Sequence, residues 1–195
     1  MGGHPFDVGA SLASVPWIHG QNVERPEKAG DFADLFLAHA SFVWRVLRRL
    51  GVPDADAEDA LQEVFLVVHR KLPTYEDRGS LRAWLFTIAR QVASRHRRSA
   101  VRRKRREHIP LPAVPPTDPH EEAVRREAAA MVRDFLEQLD EPRGLVFFLA
   151  DVEGMAVTEI ASSLDVNLNT VYGRLRAARL RFEEFVASRT KGARR

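Results

Sequence analysis

The chain has 195 residues, enough for one medium domain or two small ones, and with 45% apolar and 29% charged residues it can bury packed cores. It has no cysteine, which excludes disulfides and thiol catalysis and fits a reducing cytoplasm; it also has no apolar run of membrane-spanning length and no basic start followed by an apolar core at its N-terminus. The net charge of +3 is unevenly spread: Ser94 to Arg106 carries eight Arg or Lys and no acid, Asp54 to Glu63 five acids and no base, a polarity that points to a polyanion at one site and a different partner at another.

Residues 1–30 show no apolar period and are expected to form a poorly ordered extension. From Asp31, a plausible cap, an apolar-periodic stretch runs to Gly51, with Pro53 beyond it. "DAEDALQEVFLVVHRKL" predicts a second helix, with acids in the first turn and bases in the last as the helix dipole favours, stopped by Pro73. After the polar turn "TYEDRGS", Ser80 can cap a third helix, "LRAWLFTIARQVASRHRR". "IPLPAVPPTDP" holds five prolines in eleven residues and reads as an extended linker. Helices over about 121–139 and 142–152 follow, then a pair joined at "LDVN". No strand and no internal repeat is evident, so the expected fold is all-α: two small helical domains joined by a Pro-rich linker, the second ending in a helix-turn-helix.

At about 100° per residue, Val171, Leu175, Ala178 and Phe182 form a buried stripe on the last helix. Asn169, Gly173, Arg176, Ala177 and Leu180 lie opposite, flanked by Thr170, Tyr172 and Arg174. Small residues permit close approach to a major groove, and Arg bonds guanine edges or phosphates. Asn167 can cap this helix, leaving free N–H groups for a phosphate. The same spacing also fits a solvated helical hairpin. On the second helix Leu61, Val64, Phe65, Val68 and Leu72 form the core stripe, opposite Asp59, Glu63, Leu66 and Arg70 with Gln62 on the flank. Leu66 among acids is either a single exposed apolar residue or the anchor of an interface with a charged rim. On the third helix Trp84, Leu85, Ile88 and Val92 point inward, and Phe86 shares the other face with Arg82 and Arg90. A ring between arginines suits unpaired DNA, where bases stack and Arg holds the backbone. The alternative is that Phe86 packs beneath the first helix.

In this order, these segments resemble the extracytoplasmic-function group of the sigma-70 family, the promoter-recognition subunits of bacterial RNA polymerase. "DAEDALQEVFLVVHRKL" is similar to the family's polymerase-binding helix, "GSLRAWLFTIARQVASRHRR" to its promoter-melting helix, and "LDEPRGLVFFLADVEGMAVTEIASSLDVNLNTVYGRLRAARLRF" to its promoter-reading domain. The resemblance implies a polymerase- and −10-recognising domain over 31–98, a basic and Pro-rich linker over 99–120, a −35-reading domain over 121–187 and a basic tail over 188–195. It implies that Asp59, Gln62, Glu63, Leu66 and Arg70 face the clamp helices of the polymerase's largest subunit. Tyr75, Glu76, Arg78, Arg82, Phe86 and Arg90 would engage the melted non-template strand at −10, and the basic run from Arg95 would track phosphates or lead into the linker. Asn167, Asn169, Thr170, Tyr172, Gly173, Arg174 and Arg176 would read duplex −35 DNA. It implies no catalytic residue, metal or cofactor, a cytoplasmic protein without membrane insertion, and an anti-sigma factor as a further partner. The chain departs from the family's usual pattern at Gln91, Arg95, Tyr172 and Gly173.

A stand-alone helix-turn-helix regulator is the alternative, but it has no use for the acidic and apolar face around Glu63 and Leu66. An enzyme finds no support in the dispersed histidines or in any Gly-rich phosphate loop.

Overall fold

The computed structural model describes residues 32–76, 80–102 and 119–192, and among them every regular element is helical. The expected extension, the cap at Asp31, Arg78 and the proline-rich stretch from 109 to 118 lie outside the described residues.

Helix α1, Phe32–Arg49, buries Leu35, Phe42, Val43, Val46 and Leu47 at helical spacing. It ends where Gly51 takes a φ of +80°. There Gly51 N–H donates to Arg48 O at 3.0 Å and Val52 N–H to Leu47 O at 3.1 Å, so the chain turns back with its last carbonyls satisfied. Helix α2, Asp54–Lys71, buries Val64, Phe65 and Val68, tightens into a 3-10 turn at Leu72–Thr74 and stops there, as Pro73 requires. Helix α3, Leu81–Arg102, is longer than the sequence pattern suggested and carries the backbone into the basic run. These three helices pack mutually around Phe42, Leu47, Val64, Leu85, Phe86 and Val92.

The second unit begins with α4, Pro119–Glu137, whose start at a proline suits a position with no N–H to satisfy. Instead of the single helix expected over 142–152, α5 spans Glu141–Phe147 and widens into a π-helical turn, Phe148–Val152. That wider turn places Asp151 in the interior, where its carboxylate receives two hydrogen bonds from Arg179 at 2.6 and 3.0 Å. Helix α6 spans Val157–Leu164 and α7 Leu168–Gly192. Phe135 sits at the centre of this unit, within 5.0–5.5 Å of the rings of Phe147, Phe182 and Phe185.

The two units lie against each other. Their buried residues form one connected cluster, and α3 packs against α6. His39 on α1 is buried with its Nδ1 unpartnered among the described residues, and burial, helped by the charge of Arg82, holds its pKa below the ordinary 6.5.

Candidate nucleic-acid interface

The turn between α6 and α7 has no glycine. Asp165 takes the left-handed conformation (φ +57°) that glycine would otherwise supply, which Asp tolerates better than most residues. Asp165 N–H donates to Ser162 O at 3.3 Å and Val166 N–H to Ala161 O at 3.1 Å, the same closure that ends α1. At the other end of α6 the Glu159 carboxylate accepts from Ala156 N–H at 3.3 Å. Asn167 then starts α7, its Oδ1 accepting from Asn169 N–H at 2.8 Å. Val171, Leu175 and Ala178 are buried, as their spacing predicts.

This leaves Asn167, Asn169, Thr170, Tyr172, Gly173 and Arg176 exposed along the first turns of α7, with Arg174 half-buried. Among the described residues a Cβ added at Gly173 would meet nothing within 4 Å, so their packing does not demand glycine there. The face is small, polar and basic, and it opens at a helix N-terminus, where unpaired N–H groups favour an anion.

On α2, Asp59 and Gln62 are exposed and Leu66 is 62% exposed, a large apolar side chain presented to solvent. Arg70 folds back to donate to Leu66 O at 3.2 Å. Glu63 is tied to α3 by Arg95 Nη2 at 2.8 Å and His96 Nε2 at 3.0 Å. Arg95, one of the departures from the family pattern, thus has a local partner.

The third face corrects the expectation. Phe86 does not stand between two arginines at the surface; it is wholly buried, as the competing reading of it held. The helix is apolar at 85, 86, 88, 89, 92 and 93, a stripe wide enough to take Phe86 into the core. Arg82 and Arg90 reach the second unit: Arg82 donates to Glu153 O, and Arg90 to Ser163 O at 2.9 Å. Trp84, expected inside, is half-buried, with its ring centroid 4.6 Å from that of Tyr75 and the two planes tilted by 42°. With Glu76 and Thr87 these rings line a groove whose far wall is Thr158, Glu159 and Ser162 of α6.

Two residues central to this junction were not singled out in the sequence. Glu153 has a fully buried side chain whose two oxygens accept from Arg45 Nε and Nη2 at 2.6 and 2.8 Å, bonds that raise the pKa of Arg45. No local signal marks this pair, since the partners stand 108 positions apart. Among the described residues no group of His, Asp or Glu could hold a metal ion, and no helix is long and apolar enough to cross a membrane.

Family models describe the same two stretches. Residues 35–103 match sigma-70 region 2, and residues 129–182 match sigma-70 region 4. The ECF RNA polymerase sigma factor SigE of Mycolicibacterium smegmatis is 30% identical over 161 residues, 79% of this chain and 61% of that protein. RNA polymerase sigma factor CarQ of Myxococcus xanthus is 34% identical over 151 residues, 76% of this chain and 83% of CarQ. The ECF RNA polymerase sigma factor SigL of Mycobacterium tuberculosis is 31% identical over 160 residues, 80% of this chain and 90% of SigL. Among solved structures, CnrH in complex with the cytosolic domain of CnrY superposes with a TM-score of 0.56 at 25% identity, over 80% of this chain and 88% of that one. The fold is also that of the sigma factor RpoE of Bartonella quintana, solved with the anti-sigma factor NepR (TM-score 0.59, 20% identity, 80% of this chain and 97% of that one).

Proposed function

The chain belongs to the extracytoplasmic-function group of the sigma-70 family, and we propose that its exposed faces divide the work of promoter recognition. It is an alternative sigma factor: it binds core RNA polymerase in the cytoplasm, directs it to particular promoters and helps open the −10 region, while the polymerase supplies the catalysis. In this reading residues 31–98 hold the polymerase and the melted strand, 99–120 link, and 121–187 read the −35 duplex, flanked by the 1–30 extension and the 188–195 tail.

The observation that carries the proposal is the start of α7. It is capped by Asn167, buried on one side through Val171 and Leu175, and open on the other over Asn169, Thr170, Tyr172, Gly173, Arg174 and Arg176. Phosphate contacts from the helix N-terminus and arginines would set its position, and contacts to base edges would select the site. Asp59, Gln62, Glu63, Leu66 and Arg70 offer an apolar anchor with a charged rim to the polymerase clamp. Tyr75, Glu76, Arg78 and the Arg82–Arg90 side of α3 would take the unpaired strand, with Trp84 beside Tyr75 supplying a stacking surface that Phe86, buried, does not. Fixing both units on one polymerase makes the second DNA contact effectively intramolecular, so neither need bind tightly alone. An anti-sigma factor is a natural further partner, as the solved complexes of CnrH and RpoE illustrate.

Run-off transcription over a library of randomised promoters, with purified core polymerase, tests this. Transcripts that appear only with the protein and share spaced −10 and −35 elements are expected. No added transcription, together with tight duplex binding in the absence of polymerase, would instead favour a stand-alone regulator.

A further inference from the structure

We infer that Asp151 is a positioning residue for promoter binding: it holds the Arg179 guanidinium inward, off the DNA backbone, and so keeps down the part of duplex affinity that is blind to sequence. The inference rests on the assignment of the first turns of α7 to −35 duplex. Arg179 follows Tyr172 and Arg176 along one side of α7, and all three line one hollow beside Val157 and Leu180. On charge and place alone Arg179 would be a phosphate contact. Its side chain is 52% exposed, yet its Nε and Nη2 both donate to the Asp151 carboxylate, at 3.0 and 2.6 Å. Arg176 has no ion-pair partner among the described residues, so the two neighbouring cations are not equivalent.

The burial of the carboxylate makes this hold hard to break. Asp151 lies in the π-helical turn Phe148–Val152 with its side chain 8% exposed, and a buried carboxylate stripped of its cation is strongly destabilising. A phosphate could draw Arg179 outward only by leaving that carboxylate unpaired, whereas Arg176 gives up nothing but water. The contact is a two-bonded fork, so it fixes the direction of the guanidinium as well as meeting its charge. Each backbone cation adds affinity at every sequence alike and releases about one counterion. With Arg179 withheld, a larger share of what α7 contributes comes from base edges, and the holoenzyme leaves duplex that carries no promoter sooner.

Holoenzyme assembled with the full chain is titrated against two fluorescent duplexes, one carrying a −35 element selected by transcription and one with that element scrambled, from about 50 to 200 mM salt. The parent is compared with Asp151→Asn, which keeps the side chain's shape, and Asp151→Leu, which offers no acceptor. Arg179→Gln is added alone and together with Asp151→Asn, and circular dichroism with thermal melts checks that each variant is folded. Freeing Arg179 should tighten binding to both duplexes alike and steepen the salt dependence by about one ion, so that either Asp151 variant loses about threefold more affinity than the parent across that range. Adding Arg179→Gln to Asp151→Asn should return the salt dependence to the parent's, and Arg179→Gln alone should leave it unchanged. A parent-like salt dependence in both Asp151 variants overturns the inference, as does a gain that survives Arg179→Gln, since loosening of α7 would then be its cause. A shallower dependence for Arg179→Gln alone also overturns it, because Arg179 would already be holding a phosphate. A parent that does not distinguish the two duplexes overturns the −35 assignment itself, and the inference with it.

Discussion

At the scale of single residues, Gly173 and His39 carry opposite lessons. No described residue occupies the space beside Gly173, so Gly173→Ala should stabilise the free protein against urea by about 1 kcal/mol through helix propensity alone. The same methyl stands on the face assigned to DNA, and affinity for the −35 duplex should fall in parallel. A stabilised variant with full affinity would show that DNA does not come close there. His39 is buried and held neutral, with its pKa below 6.5, so near and below pH 6.5 the unfolded chain binds more protons than the folded one. Stability should therefore be complete above about pH 6.5 and decline as pH falls toward the lowered folded value. Denaturant melts at several pH values check this, and His39→Phe should flatten the slope in that window. Gly173 was legible in the sequence because an exposed mid-helix glycine conflicts with propensity; the environment of His39 was not, because it depends on Arg82 from another helix.

At the scale of elements, the turn of the helix-turn-helix makes the most pointed case. A residue with a φ of +57° is comfortable as glycine and strained as a β-branched residue. Asp165→Gly should leave stability unchanged or slightly higher, whereas Asp165→Val should cost about 1–2 kcal/mol, as thermal melts of the full chain would register. Equal losses from both would show that the Asp165 side chain, rather than its backbone angle, holds the turn. The sequence pattern placed this turn without glycine because the apolar stripe of the last helix, Val171 with Leu175, and the cap at Asn167 together bound it at "LDVN". The stripes of α1, α2 and α7 were legible for the same reason: a surface helix with one core partner shows a clean period. α3 was misread at Phe86 and Trp84. It touches α1, α2 and α6, so its apolar arc is wide and periodicity alone cannot say which edge is covered. The break of α5 into a π-helical turn was also invisible, since residues 145–150 are uniformly apolar and the buried Asp151 finds Arg179 28 positions away.

For the whole molecule, two helical units were legible from the helical segments on either side of the proline-rich stretch, but their contact was not. Arg45 meets Glu153 across 108 positions and Arg90 meets Ser163 across 73, pairings that no local pattern encodes. In the proposed division of labour, α7 reads duplex DNA while the side of α3 near Arg90 holds the opened strand. Run-off transcription from one selected promoter, supplied either fully paired or with the −10 segment pre-opened by mismatches, separates the two roles. Arg90→Ala and Arg176→Ala should each lower transcription from the paired template by about ten- to a hundredfold, the loss of one strong contact. Pre-opening should restore most of the activity of Arg90→Ala, because the template no longer asks the protein to offset melting, and little of that of Arg176→Ala. Rescue of Arg176→Ala with none for Arg90→Ala would overturn this division.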